Sequence, residues 1–181
     1  MSMNARGFAT PRLFTVAEYY RMADAGILKP DDRVELIEGE IVEMSPSGSP
    51  HAGYVGKLNH LLNEVLRGKP FLVRVQSPVR LSQFSEPEPD IAVVNRRDDF
   101  YTGGHPTAAD VVVVIEVADS RLAYDRSIKI PLYLRSGIAE AWLVDVTNHA
   151  IEVHSEDGVH RFAARETAVS AVLPEIKIPV I

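Results

Sequence analysis

Cysteine is absent from this 181-residue chain. Its absence excludes disulfides, a thiolate nucleophile and cysteine-based zinc sites. Long apolar runs are missing too. The longest, residues 111–115, is far shorter than the roughly 20 residues a membrane-spanning helix needs. The opening stretch MSMNARGFATPRLF has no apolar core of signal-peptide length, so a cytoplasmic location and no membrane association are expected. There is no internal repeat, no low-complexity tract and no excess of positive charge. With a formal net charge of −6, the whole molecule is no electrostatic trap for nucleic acid. That argues against a constitutive DNA coat. It leaves room for a nucleic-acid enzyme, because divalent cations add positive charge where carboxylates cluster.

What is present suffices for one compact domain with a real core, since 46% of the residues are apolar. A single domain over residues 1–181 is expected, its core beginning near residue 14. VAEYYRMADAG (16–26) predicts a short helix with Thr15 as N-cap, Glu18 three residues on and Gly26 as the stop. RVELIEGEIVEM (33–44) predicts two strands about a Glu38-Gly39 turn. The loop SPSGSP (45–50) leads into an amphipathic helix, with Ser49 as cap and Pro50 in the first helical position, and Gly68 ends it. Strands follow at about 71–75, 78–81 and 90–94, then a polar loop (96–110). VVVVIEV (111–117) is β-branched and nearly continuous, as in a strand buried on both faces. A helix is expected around 125–136, disturbed at Pro131, which lacks a backbone donor. Residues 140–146, 150–155 and 158–163 predict strands, and the tail one more short edge strand. This order fits a mixed sheet flanked by helices in the α/β class.

Three residues stand out chemically. Asp90, in PEPDIAVV, puts a carboxylate at the mouth of an apolar strand; the plain alternative is a strand-entry turn. Glu116 interrupts the most hydrophobic strand, with Val112 and Val114 on its face by period-two alternation. An unpaired buried carboxylate costs several kcal/mol, roughly 2–7 even for a neutral polar group, so Glu116 must be paired, terminal or metal-bound. Two acids at the ends of neighbouring strands suit a hard cation such as Mg²⁺. Lys129 lies four residues after Asp125 and four before Tyr133, so the three share a helix face. The plain alternative there is an Asp125–Lys129 pair with a tyrosine packed nearby.

Taken together, EPDIAVV, VIEVADS and YDRSIKIPLYLRSGIAEAWLVDV resemble the PD-(D/E)XK nuclease superfamily. More closely, they resemble its bacterial branch, the Uma-two family of restriction-endonuclease-like proteins, which VELIEGEIVEMSPSGSPH (34–51) also matches. The likeness runs from about residue 14 to the C-terminus. It implies a restriction-endonuclease-like central mixed sheet flanked by helices, and a metal-dependent phosphodiesterase. It also implies Asp90 and Glu116 as ligands of Mg²⁺ or Mn²⁺ and Lys129 as the catalytic lysine. The superfamily usually places its lysine two residues after the second acid. Ala118 stands there, and in this branch the following helix supplies the lysine. Glu35 and His51 match further polar positions, with a solvated hairpin face and a plain helix-start histidine as the alternatives. Expected partners are nucleic acid, DNA first, with a homodimer allowed for. Arg121, Arg126 and Arg135 would position the backbone.

Two rivals follow from the relocated lysine and from the fold's versatility. One is a catalytically silent nuclease fold that binds nucleic acid or protein; the other is a hydrolase of small phosphate esters. Crowding of Asp90 against Glu116 without metal should make one of them hold its proton to higher pH. On the same reasoning, Asp90→Asn would stabilise the metal-free protein.

Overall fold

The computed structural model describes residues 11–46 and 48–180, so most of the stretch read for a signal sequence lies outside the described residues. The chain divides into two compact units: Met1–Ser45 with Ser82–Glu86, and Pro46–Leu81 with Pro87–Ile181.

In the smaller unit, α1 (Val16–Asp24) begins with the full reciprocal capping box of Thr15 and Glu18 and ends at Ala25, just before Gly26 at φ +70. Strands β1 (Val34–Ile37) and β2 (Glu40–Glu43) pair antiparallel. Their two-residue turn places Glu38 at φ 50 and Gly39 at φ 82, the left-handed geometry that matches strand twist. A Cβ on Gly39 would also stand 2.5 Å from the Leu13 Cβ, so glycine is required there twice over. Segment 82–86 joins this unit through backbone bonds from Gly39 N to Phe84 O (2.7 Å) and Glu86 N to Leu36 O (2.8 Å).

The larger unit is built on a six-stranded sheet in the order β3-β4-β5-β6-β7-β8. Its strands are β3 (Phe71–Val75), β4 (Ile91–Asn95), β5 (Val111–Ala118), β6 (Glu140–Asp145), β7 (Ala150–Ser155) and β8 (Gly158–Ala163). Only β5 and β6 run parallel, so the sheet is mixed, as the sequence suggested. A parallel pair needs a crossover. It is supplied by α3 (Leu122–Tyr124), a π-helical turn (Asp125–Lys129) and α4 (Ile130–Arg135).

On one face α2 (Ser49–Val65) buries Val55, Leu58 and Leu62 against Val93, Ile115 and Trp142. On the other, Ile130 and Tyr133 of α4 pack on Ala92, Val114 and Leu143. Strands β9 (Thr167–Val169) and β10 (Lys177–Pro179) form a separate pair, so the tail strand has its own partner rather than an edge of the main sheet.

Several local expectations change. Residues 78–81 form no strand; Arg80 takes part in an isolated bridge to Thr107. Gly48, not Ser49, is the N-cap of α2, without a side-chain cap bond, and Pro50 keeps its place in the first turn. The register shifts at Val93/Val94, where Val94 faces Val111 and Val112 becomes the extra residue of a bulge. Val112 therefore packs with the α2 face, while Val114 stays with the α4 face that carries Glu116. The helix expected over 125–136 starts earlier and contains a full π-turn, its Ile130 N–H reaching back to Asp125 O. Pro131 has no N–H for the carbonyl one turn back, and the wider turn accommodates that loss.

Candidate active site

The strand register lines up a row of polar side chains across the sheet. In the β4–β5 ladder Ile91 faces Ile115, so one residue further out Asp90 stands opposite Glu116. The β3–β4 ladder, extended in the same way from Val75 and Ile91, sets Gln76 opposite Asp90. Beyond Glu116 the row continues through Leu143, Glu152 and Arg161. Cross-strand partners project from the same side of a sheet. Extended one residue past the ladder, the register sets Asp90 on the α4 face with Glu116, while the Asp90 side chain also meets His51 from α2, and only Leu143 breaks the polar run.

Each acid is held by specific donors. The Asp90 Oδ2 accepts from the Val117 N–H at 2.9 Å and lies 3.1 Å from the His51 Nε2. Its Oδ1 meets the Gln76 amide at 3.3 Å. Gln76 adopts φ 44, a left-handed conformation uncommon for a side-chain-bearing residue. The Glu116 Oε1 accepts from the Tyr133 hydroxyl at 2.6 Å and pairs with the Lys129 Nζ at 2.8 Å. Lys129 also donates to the Glu88 carbonyl at 3.3 Å. Both members of the Lys129–Glu116 pair are buried, with side chains 6% and 4% exposed.

The π-turn explains how one short segment serves the row. Lys129 reaches back over β5, while Arg126, three residues earlier, makes a two-pronged contact with Glu152 on β7 at 3.0 Å each. Arg121 stacks on the Tyr124 ring, 4.5 Å from its centre. Lys129 thus has an acid from the neighbouring strand as partner, and Tyr133 bonds that same acid instead of merely packing nearby.

The electrostatics follow from these contacts. Burial pushes the Asp90 carboxyl up, but the His51 and Val117 hydrogen bonds and the Lys129 charge outweigh it and hold the group below the usual carboxylate range. Asp90 is therefore not the acid that keeps its proton to higher pH. His51 shifts the other way: its hydrogen bond to Asp90 raises it, against burial, with help from the charges of Asp119 and Asp125.

Glu152 is governed likewise. Burial would raise it, and the Arg126 and His154 contacts bring it below the ordinary range. A carboxyl with a lowered folded-state pKa contributes stability above its unfolded value of about 4.5 and loses it as pH falls through the folded value. Glu152→Gln is accordingly expected to flatten the acid limb of the stability–pH curve below that value. Denaturant unfolding of both proteins from neutral pH downward checks this.

A divalent ion such as Mg²⁺ needs hard oxygen donors, and it accepts one or two protein carboxylates with water completing its shell. Among the described residues no group of three or more His, Asp or Glu side chains is arranged to hold a metal. Two hard carboxylates remain, Asp90 and Glu116, and among the described residues Asp90 Oδ1 carries only the long Gln76 contact. These are the donors such an ion would use, and no complete protein cage is present among the described residues.

His51 joins the Asp90 cluster, though its sequence position at a helix start gave only the family likeness as a reason. Glu35 belongs to the other unit, on β1 opposite Val42, and is buried rather than solvent-facing. Sequence reasoning passed over Gln76 and Glu152. A lone acid between Ile151 and Val153 could have been found by the argument that singled out Glu116. The backbone of Gln76 left no signal. Tyr133→Phe is expected to cost about 1.5–3 kcal/mol, since it deletes a hydrogen bond to a buried charged group. Urea unfolding at neutral pH measures it, and a loss below about 0.5 kcal/mol would show that Glu116 is satisfied without the Tyr133 hydroxyl.

No curated protein matches the chain. A solved structure does, described as "a putative nuclease belonging to DUF820 from Anabaena variabilis". The two superpose with a TM-score of 0.71 at 16% identity, over 92% of this chain and 95% of the other, a likeness that establishes the fold. No helix among the described residues is long and apolar enough to cross a membrane. The profile of the Uma2 family, described as "Putative restriction endonuclease", matches residues 16–180, and the chain belongs to that family.

Proposed function

We propose that the chain is a metal-dependent endonuclease that hydrolyses phosphodiester bonds in nucleic acid, DNA first. The observation that carries this is Asp90 set opposite Glu116, with the Lys129 ammonium on Glu116 and close enough to lower the Asp90 carboxyl. Asp90 and Glu116 would hold Mg²⁺ or Mn²⁺, which when bound supplies an activated water and offsets charge on the phosphorane-like transition state. His51 and the Val117 N–H fix the Asp90 carboxylate by Oδ2 and keep it ionised. The Tyr133 hydroxyl holds Glu116 in place through its Oε1. Lys129 would orient the attacking water or donate a proton-bearing contact to a phosphate oxygen, as a group with a charge already fixed in place.

A second reading has an observation of its own. Lys129 is engaged with Glu116 in a buried pair, as it would be in a fold that keeps the motif only as scaffold. Incubation with DNA and RNA, single- and double-stranded, in Mg²⁺, Mn²⁺ or chelator separates the two. Cleavage is expected with metal and none in chelator. No cleavage of any substrate, with a melting temperature indifferent to millimolar metal, would establish the silent scaffold.

A further inference from the structure

Past Leu143, the polar row reaches a second cluster. Glu152 is buried, its side chain 8% exposed, yet two guanidiniums and an imidazole converge on it. Arg126 grips it through Nε and Nη2 at 3.0 Å each. His154 Nε2 lies 3.2 Å from Oε2, and the Arg161 Nη1 stands 3.7 Å from Oε1, an ion-pair contact too long for a hydrogen bond. The two arginine side chains remain 40% and 54% exposed. One carboxylate thus faces two guanidiniums. Asp145 also acts on Arg126, but its oxygens accept the Asn148 N–H and side-chain amide.

A guanidinium carries five N–H donors in a planar fork. Arg126 spends two on Glu152, and Arg161 spends none within hydrogen-bond range of it. The donors left over match the geometry of phosphate oxygens. Neighbouring strands lie about 4.8 Å apart, so Glu152 sits roughly 10 Å and Arg161 roughly 14 Å along the row from Glu116. That distance corresponds to about three to four base steps of a duplex at 3.4 Å each.

We propose that Arg126 and Arg161, set in place by the buried Glu152, form a subsite for the phosphodiester backbone a few nucleotides from the bond cleaved at Asp90 and Glu116. This rests on the nuclease reading for its ligand and adds Arg161 and the positioning acid Glu152 to the Arg126 already expected to meet the backbone. Glu152 is a positioning residue: it fixes the Arg126 fork and keeps Arg161 beside it.

The test measures binding of a fluorescent 20-base-pair DNA duplex, and of RNA of the same sequence, by the full chain in chelator, across a range of salt. Arg126→Gln and Arg161→Gln should each flatten the slope of log affinity against log salt by about 0.9, one phosphate contact apiece. Glu152→Gln makes the protein one charge more positive, so simple electrostatics would tighten binding. Loss of positioning should weaken it instead, and that sign is the readout a merely structural role would not produce. Arg161 is exposed enough that its variant folds, so the test survives a failure of Glu152→Gln to do so.

Wild-type slopes in both arginine variants overturn the subsite, and metal-dependent cleavage by those same variants would leave the nuclease reading standing. Binding with flattened variant slopes but no cleavage in any metal would instead sink the hydrolase and support the subsite. A wild type that binds neither DNA nor RNA overturns it outright.

Discussion

Asp90→Asn is expected to lower nucleic-acid cleavage by on the order of a hundredfold to a thousandfold, the loss typical when one preorganised electrostatic group leaves a reacting centre. The same variant should lose any rise in melting temperature that Mg²⁺ or Mn²⁺ produces in the wild type. Such a rise is simple linkage: an ion at a hundred times its dissociation constant stabilises the folded state by about 2.7 kcal/mol. The substituted amide keeps the shape of the side chain but offers no second anionic ligand beside Glu116.

Without metal, the expected sign is destabilisation. Two acids crowded together would repel, and their sequence alone suggested that removing one would help. In the fold His51, the Val117 N–H and Lys129 supply the opposite sign and hold the Asp90 carboxyl below its ordinary range despite burial. A lowered carboxyl contributes stability above its unfolded pKa, and that contribution disappears as pH falls through the folded one. At neutral pH the variant forfeits it, at about 1.5–3 kcal/mol for hydrogen bonds to a charged group. Calorimetry with and without millimolar metal, beside a cleavage assay, checks all three effects. Cleavage within severalfold of wild type, or a persisting metal-induced rise, would remove Asp90 from the site.

Lys129→Met carries the second large effect. The Lys129–Glu116 pair is buried on both sides at 2.8 Å. Removing one member of a buried ion pair strands the other charge, and costs about 3–5 kcal/mol. For a chain of this size that lowers the melting temperature by on the order of 10 °C. Cleavage should cease while the metal-induced rise in melting temperature persists, because the two carboxylates remain. Adding Glu116→Gln to Lys129→Met should recover most of the lost stability, since a neutral amide no longer needs an ammonium. The double variant stays inactive. A Lys129→Met protein as stable as wild type would show that the ion pair adds nothing, and one that still cleaves would show that the lysine takes no part in the reaction.

Much of the fold could be read from residue patterns, because those patterns depend on short-range physics. Thr15 and Glu18 cap a helix with their own neighbours. Glu38-Gly39 makes a turn by local φ alone. Residues 111–117 announce a strand buried on both faces through β-branching. Asp90, Glu116 and Lys129 stood out because a charge inside an apolar run needs a partner. Which partner was not local information.

Register decided it: a strand pairing that sets Ile91 opposite Ile115 puts Asp90 opposite Glu116, and only chain segments brought together from afar can fix that. The bulge at Val112 reassigned a residue that strict alternation had put on the wrong face, since one extra residue inverts the period. The π-turn did the same for the helix, sending Lys129 to β5 and Arg126 to β7. The sign of the Asp90 shift was likewise tertiary, because it is a balance of burial against donors from α2, β5 and the π-turn. Sequence determined that these acids had to be neutralised; the packing of distant strands determined by what.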